Sequence, residues 1–522
     1  MVKTSPPPVL FAALGAILSY YGLAPLRGVL EPWTPWFWGG MILLIIPLSL
    51  LRVLARGPAG FFGSPSLDRL FREISIRGVA LAVGLSLGFG AASAIDAGMR
   101  LGLKQNKVLG IRGVLRDDPR SLSGGGGMGY LKLTGAAGPE GLRTSAKGTA
   151  LVFFPADTLS RLRGFGRGCE IYVEGAFLSP SAASKEDPPF RALSVHVLNP
   201  APAREQFRTA LRLRLIEGFS RLSSGEGLLP YGGLSLALLL GVRDNLDTEF
   251  AQMYRDAGCS HILALSGMHL AILSSIIAFF LKKPLGLRAA AVLGALLIIL
   301  YVILVGPQPS LVRAAFMYLL GTLAVLGALP RRPLLLLALA FLLQIIQDPP
   351  SGYTLSFILS YLALAGILIP GEVIGEMFRG WLPPAPAQGL AASLGAFIAT
   401  GAITVFFFGV LRPLGILAGL FIVPLTTLFM AASLGLIVLD FVAPFLSGLV
   451  SPLLSLLYAS LGRLVSLAAR GPAISPSLFW TAAATGGIII LLFLLKKWYI
   501  PRRQYLVPLD YLRFPPGTQD LS

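Results

Sequence analysis

The stretch Gly258-Cys-Ser-His-Ile-Leu-Ala-Leu-Ser-Gly-Met-His-Leu-Ala-Ile-Leu-Ser-Ser-Ile-Ile-Ala-Phe-Phe-Leu281 decides the fold class. From Ile262 to Leu281 it holds no Lys, Arg, Asp or Glu, and Lys282-Lys283 close it. A transmembrane helix needs roughly 20 apolar residues, and this run supplies them. Similar runs recur after it at 285–305, 310–329, 333–347, 353–370, 388–410, 412–438, 444–470 and 477–495, and before it at 9–26, 36–55 and 78–95. Of the 522 residues 55% are hydrophobic and only 13% charged, against roughly 25% charged in soluble domains. That composition excludes a disordered chain and a soluble multidomain enzyme. The expected fold is a polytopic α-helical membrane protein of about twelve spans.

The basic residues orient those spans. Arg52, Arg56, Arg69, Arg72 and Arg77 lie between the second and third runs, Lys282, Lys283 and Arg288 in a later loop, Arg331 and Arg332 in another, and Lys496, Lys497, Arg502 and Arg503 after the last. The positive-inside rule assigns all of them to the cytoplasm. Twelve crossings satisfy that parity only if 228–240 does not cross. This run of about 13 residues carries Pro230 and Gly232-Gly233, as a re-entrant or interfacial segment does. Both termini are then cytoplasmic, in the cytoplasmic (inner) membrane. Lys3 and the first run do not read as a cleavable signal, because a second apolar run follows at once. Trp33, Trp36 and Trp38 cluster where indoles favour the membrane interface.

Between the third and fourth spans the period changes. Segments 108–116, 130–134, 150–154, 169–177 and 193–198 read as strands, with alternation at Leu131/Leu133 and at Leu193/Val195/Val197. Five short strands suit a small extracytoplasmic β-barrel of the OB type, or equally a small sandwich. Ser123-Gly-Gly-Gly-Gly-Met-Gly129 is a hairpin loop; lacking a following Lys-Ser/Thr, it is no phosphate-binding loop. The organisation expected is N-terminal spans at 1–103, the β domain at 104–200, amphipathic and re-entrant helices at 201–260, the main membrane domain at 261–498 and a tail at 499–522. Within 204–222, Phe207, Leu211, Leu215, Phe219 and Leu222 fall on one helical face and the arginines off it. Residues 104–199 hold 13 Lys/Arg against 8 Asp/Glu, a net of +5, and 204–222 add a net of +3. This excess lies outside, where the positive-inside rule does not account for it. It marks a surface for a polyanion, with Lys132, Arg143, Lys147, Arg161, Arg163 and Arg167 as candidate phosphate contacts; the plain alternative is a solvated basic face beside anionic lipid.

The apolar half has one dense polar cluster, from Gly241-Val-Arg-Asp244 through His261, Ser266, Gly267 and His269. Ionisable groups at the mouth of a span face a cavity or a partner. Three histidines and two cysteines, with no His-Glu-x-x-His pattern, make no expected metal site, and no cofactor is expected.

Leu240-Gly-Val-Arg-Asp244, with Gly258-Cys-Ser-His-Ile-Leu-Ala-Leu-Ser-Gly-Met-His269, resembles the signature of the ComEC-type competence proteins. Further matches follow in order at Ser310-Leu-Val-Arg-Ala-Ala-Phe-Met317, Asp348-Pro-Pro with Thr354-Leu-Ser-Phe357, and Phe406-Phe-Phe-Gly409 leading to Ile422-Val-Pro-Leu425. The resemblance implies a channel that passes single-stranded DNA across the membrane. Arg243, Asp244, His261, Ser266, Gly267 and His269 would shape its entrance, and Arg313, Ser356 and Pro424 would stand deeper. It also implies membrane lipid, an outside DNA receptor, a separate nuclease and a cytoplasmic helicase or ATPase as partners. The order Val-Arg-Asp departs from the family's Gly-Asp-Arg, Cys169 stands without the family's second barrel cysteine, and no metallo-β-lactamase-like segment follows the last span. The chain is therefore expected to be a channel and not an enzyme. The rival readings are a transporter of a small anionic solute with a basic capture domain, and a membrane hydrolase using Ser266 and a histidine.

Overall fold

The computed structural model describes residues 7–23, 65–93, 99–121, 126–139, 143–158, 162, 166–178, 188–223, 231–243, 246–379, 381–442 and 447–498. Two compact units result: Met1–Tyr361 with Arg412–Pro472, and Leu362–Leu411 with Ala473–Ser522.

Among the described residues α1 (Pro8–Leu23) and α2 (Pro65–Ser93) open the first unit. They pack through small residues, Gly15 against Leu81 and Leu85, and Gly84 and Gly88 against Ala12 and Ala16. Such a seam lets helix backbones approach where lipid gives no hydrophobic drive. The expected span 36–55 and its tryptophans lie outside the described residues.

Eight strands follow: β1 (Arg100–Leu101), β2 (Gly110–Leu115), β3 (Arg120–Ser121), β4 (Gly127–Ala137), β5 (Arg143–Lys147), β6 (Thr149–Phe154), β7 (Glu170–Phe177) and β8 (Phe190–Asn199). Pairing runs β4–β2–β7–β8–β6 and returns from β6 to β4, so five strands close a ring; β5, β3 and β1 are appended to it. Alternate residues fill its centre, among them Ile111, Leu115, Leu131, Leu133, Val152, Phe154, Ile171, Val173 and Phe190. The alternation read at Leu193 needs correcting. Gly175 pairs with Ala192 and Glu174 with Ser194, so Leu193 falls in a bulge opposite no residue of β7. It is 76% exposed, while Phe190 and Ala192 point inward. A bulge inserts one extra residue and re-aims the side chains beyond it.

Helix α3 (Ala203–Ser223) buries charge in its first turns. Of the apolar face read there, Phe207 is exposed and Phe219 buried, and the buried positions of the first turns are Glu205, Arg208 and Thr209. A polar face is buried here because its charges meet partners in the β domain.

Next come α4 (Tyr231–Leu240), α5 (Thr248–Asp256), the single turn α6 (Ser260–Leu263) and α7 (Gly267–Val305). All ten residues of α4 are buried, so the short run is core of the bundle rather than an interfacial helix. Helix α7 breaks at Gly286 (φ +76), and Gly294 beyond the break lies against Ile277 before it. The two arms are therefore a hairpin, matching the separate runs 262–281 and 285–305. The remaining helices are α8 (Pro309–Leu326), α9 (Pro333–Gln347), α10 (Leu355–Leu368), α11 (Pro370–Phe378), α12 (Pro384–Phe408), α13 (Leu414–Val442), α14 (Ser447–Ala469) and α15 (Leu478–Trp498). Among the described residues six helices are long and apolar enough to cross a membrane, and shorter apolar helices accompany them. Phe279, Leu300, Phe421, Leu456 and Phe493 remain exposed on them, as side chains solvated by lipid do.

In the second unit α10 continues through Pro370 into α11, and α11, α12 and α15 pack together. A Cβ on Gly366 would sit 2.3 Å from the Gly395 carbonyl, so the close approach of α10 and α12 excludes side chains at this point.

Candidate functional site

The polar cluster of the apolar half is built around a break in the helical path at residues 264–266. Gly241 ends α4 at φ +69, its N–H donating to the Ala237 carbonyl at 3.2 Å. A Cβ there would lie 2.4 Å from Leu265 Cδ1, so the position requires glycine both for its backbone and for space. Arg243 follows, and its Nη2 donates at 3.0 Å to the carbonyl of Leu263, the last residue of α6. Ser310 of α8 donates from Oγ to the Leu265 carbonyl at 2.8 Å. Two carbonyls that the broken helix leaves without intrahelical partners are thereby satisfied.

The chain re-enters helix at Ser266, which has extended backbone (φ −129, ψ 170) and caps α7. Its Oγ accepts from the Met268 N–H at 3.3 Å. In return the Ser266 N–H donates to His269 Nδ1 at 3.0 Å. This is a capping box in which histidine stands where Glu or Gln is usual. The accepting bond needs the Nδ1 lone pair, so the imidazole proton sits on Nε2. His269 is 1% exposed, and Nε2 has no partner among the described residues. Arg313 of α8 arrives from the side: a Cβ on Gly267 would be 2.8 Å from its Nη2. Arg313 is buried, donates from Nη1 to the Ser360 carbonyl and lies 5.8 Å from the Tyr361 ring centroid.

Arg243, Ser266, Gly267, His269 and Arg313 are thus brought to one helix break. His261, on α6, is exposed, as are Ser356 near the start of α10 and Pro424 in the middle of α13. None of these three hydrogen-bonds to the cluster among the described residues. Asp244 lies outside the described residues.

In the β domain, Lys132, Arg143 and Lys147 are exposed on β4 and β5. Arg100 of β1 sits directly opposite Lys147, and Arg143, Ser145 and Lys147 share the outward face of β5. Lys104 and Lys107 are exposed in the turn beside them. The result is a basic strip along the β1–β5 edge of the sheet, with Lys132 on the inner strand β4. Sequence reading missed Arg100, Lys104 and Lys107 as members; their signal was inside the charge count, but β1 and β5 are too short and polar to register as strands. Arg161 and Arg163 lie outside the described residues. Arg167 is engaged elsewhere, pairing through Nη2 with Glu205 at 2.8 Å.

That pair belongs to a network sequence reading did not see. Asp118, in the segment after β2, accepts from Arg208 Nη2 at 2.5 Å and Nη1 at 2.8 Å, from Arg212 Nη1, and from the Arg167 N–H at 3.0 Å. Arg208 also donates from Nε to Glu205 at 2.8 Å and from Nη1 to the carbonyl of Leu304, near the end of α7, at 3.4 Å. Burial raises the Asp118 carboxyl, but the Arg208 hydrogen bonds and the Arg212 and Arg208 charges outweigh it and hold the group below its ordinary range. Glu205 is held low by Arg167 and Arg208 against the same opposing burial. This network ties the β domain to α3 and to the end of α7. A second tie, Arg116 to Asp348 at 3.3 Å, is exposed at both ends, where such pairs contribute little.

A family model described as "Competence protein" matches residues 238–499, half of the chain. ComE operon protein 3 of Bacillus subtilis (strain 168) is 32% identical over 151 residues, covering 27% of this chain and 19% of that protein. An uncharacterized protein of Aquifex aeolicus (strain VF5) is 29% identical over 205 residues, 39% of this chain and 46% of that protein. The chain thus covers less than half the length of either relative. No solved structure matches it.

Proposed function

We propose that this chain, which belongs to the competence-protein family, passes single-stranded DNA across the cytoplasmic membrane during DNA uptake. Membership supports a role in competence, and the basic strip is the observation that carries the choice of DNA. Arg100, Lys104, Lys107, Arg143 and Lys147 present cations along a sheet edge, with Lys132 on the adjoining strand β4, in a region that the expected span parity assigns to the outside. Phosphates meeting such a strip release counterions, which drives binding without regard to sequence. In this reading the closed ring of five strands is a small OB-like barrel, about twelve spans cross the membrane with both termini cytoplasmic, and the helix break at 264–267 is the entrance. The chain itself does no cutting; a separate nuclease, an outside receptor and a cytoplasmic helicase or ATPase complete the machine.

One contact favours a second reading. Ser266 Oγ lies 3.1 Å from His269 Nδ1, as in a hydrolase nucleophile–base pair. The same Nδ1 already accepts the Ser266 N–H, and among the described residues no carboxylate orients Nε2. The pair reads as a helix cap.

The test is binding of a fluorescent single-stranded oligonucleotide by the full chain in nanodiscs as salt is raised. Affinity should fall linearly on a log–log plot. The triple variant Lys132→Ala, Arg143→Ala, Lys147→Ala should flatten the slope by about two, at roughly 0.7 per lost single-strand phosphate contact. Binding that ignores both salt and the triple variant would remove DNA from the strip.

A further inference from the structure

Arg313 presents an unbalanced charge. Its side chain is only 8% exposed, in a helix among those that read as membrane-spanning. It meets the Ser360 carbonyl and the face of Tyr361; no carboxylate among the described residues pairs with it, and Nε has no acceptor there. A buried cation without a counter-charge is costly, and proteins normally neutralise or pair it. Its position makes the imbalance worse. Nη2 lies against Gly267, the first residue of α7, where the helix dipole places a further partial positive charge. Two residues on, the His269 Nε2–H is a second buried donor without an acceptor among the described residues. Two orphaned donors and a helix N-terminus, all of one sign, want the same thing.

We propose that Arg313, with the N-terminus of α7, is an anion station for a phosphate-class oxyanion, taken up from the backbone of the passing strand. The assignment of the strand as source rests on the proposed DNA transport; the station itself does not. A guanidinium fits a phosphodiester through two parallel N–H donors, and the lack of a side chain at Gly267 lets Arg313 reach the helix start. The role of the station would be to replace, within the apolar bundle, the counterions that a phosphate sheds on leaving water. Between strands Arg313 would remain electrostatically strained, which favours capture of the next phosphate.

The experiment uses the full chain in maltoside detergent, which has no phosphate of its own. Thermal midpoint and binding are measured for wild type, Arg313→Met and Arg313→Lys. The probes are a short phosphodiester oligonucleotide, the same sequence with an uncharged methylphosphonate backbone, inorganic phosphate, and anionic lipid added back as phosphatidylglycerol. The phosphodiester should raise the midpoint of wild type and bind Arg313→Met about tenfold more weakly or worse, the loss of one charge-assisted contact. Arg313→Lys should keep part of the affinity, and the methylphosphonate should leave the midpoint unmoved. Without any anion, Arg313→Met should melt no lower than wild type, because it removes an unpaired charge. Phosphatidylglycerol reproducing the effect while the oligonucleotide does not would give the station to lipid and overturn the strand as its source. Inorganic phosphate stabilising wild type but not Arg313→Met, with no oligonucleotide bound by either, would keep the station and sink the DNA reading. Equal phosphodiester binding by wild type and Arg313→Met, or a large anion-independent loss of stability in Arg313→Met, would overturn the station and leave the DNA reading standing.

Discussion

Replacing Asp118 by Asn tests how the β domain is fastened. The carboxylate takes four donors from Arg208, Arg212 and Arg167, and Asn offers one carbonyl oxygen and no charge. Arg208 is left 3% exposed with Glu205 as its remaining carboxylate, and Arg212 loses its contact to Asp118. Breaking a buried pair from one side costs roughly 3–5 kcal/mol. The surviving Glu205 contact and the 24% exposure of Asp118 put the loss near the lower end, about 3 kcal/mol. The chain supplies its own reporter. Cys169 is fully buried in the β core and Cys259 is the only other cysteine, so in a Cys259→Ala background a thiol-reactive dye reports opening of the β domain. The midpoint of Cys169 labelling should drop by on the order of 10 °C. The pH dependence has a definite sign. Asp118 and Glu205 are both held below their ordinary range when folded. Their contribution is therefore complete above the unfolded carboxylate range and is lost as pH falls through the lower folded values. Asp118→Asn should remove much of the acid sensitivity of the midpoint. A shift under about 1 kcal/mol, with the acid limb unchanged, would refute the claim that this network holds the domain.

Other outcomes follow from single residues. Gly241→Ala should destabilise the bundle by more than about 1 kcal/mol, since it meets both a left-handed backbone and Leu265. Ser266→Ala should cost about 1 kcal/mol as a lost cap, whereas His269→Gln, which keeps an acceptor at the third helical position, should melt close to wild type; equal losses in both would deny the capping box. In a chain lacking Cys169 and Cys259, a cysteine at Gly126 should react with an impermeant thiol reagent applied outside and one at Arg331 should not, the reverse pattern inverting the topology. Purified chain with Mg²⁺, Mn²⁺ or Zn²⁺ should leave labelled single- and double-stranded DNA intact, and cleavage abolished by His269→Ala would promote the hydrolase reading.

The helices and the longer strands were legible because each shows its own period over enough residues. Leu131 and Leu133 alternate, and 262–281 and 285–305 are separated by Lys-Lys-Pro, which marks the hairpin turn at Gly286 from composition alone. Strand β5 was not legible. Arg143-Thr-Ser-Ala-Lys147 has only Ala146 buried, and its strand state comes from pairing to β4 and β1 rather than from its own residues. The buried charged side of α3 was not legible for a related reason. Apolar periodicity marks the buried side only when burial is apolar, and here Asp118, 90 residues away from Arg208, draws the charged side in. Of the site, Arg243, Ser266 and His269 were visible as polar groups in an apolar setting, Gly267 as the glycine between the last two, and Arg313 only through the resemblance. Their local roles were not, because a helix cap made by histidine and a carbonyl held by arginine depend on where the helix breaks.

Passage of DNA through this chain is tested most directly in competent cells from which the chain has been removed. Label from DNA supplied outside is measured after external nuclease has digested whatever has not crossed. Returning the wild-type chain should restore protected label, in single-stranded form, while His269→Ala inserted at an equal level should not. Protected label of equal amount in cells lacking the chain altogether would contradict a transport role for it.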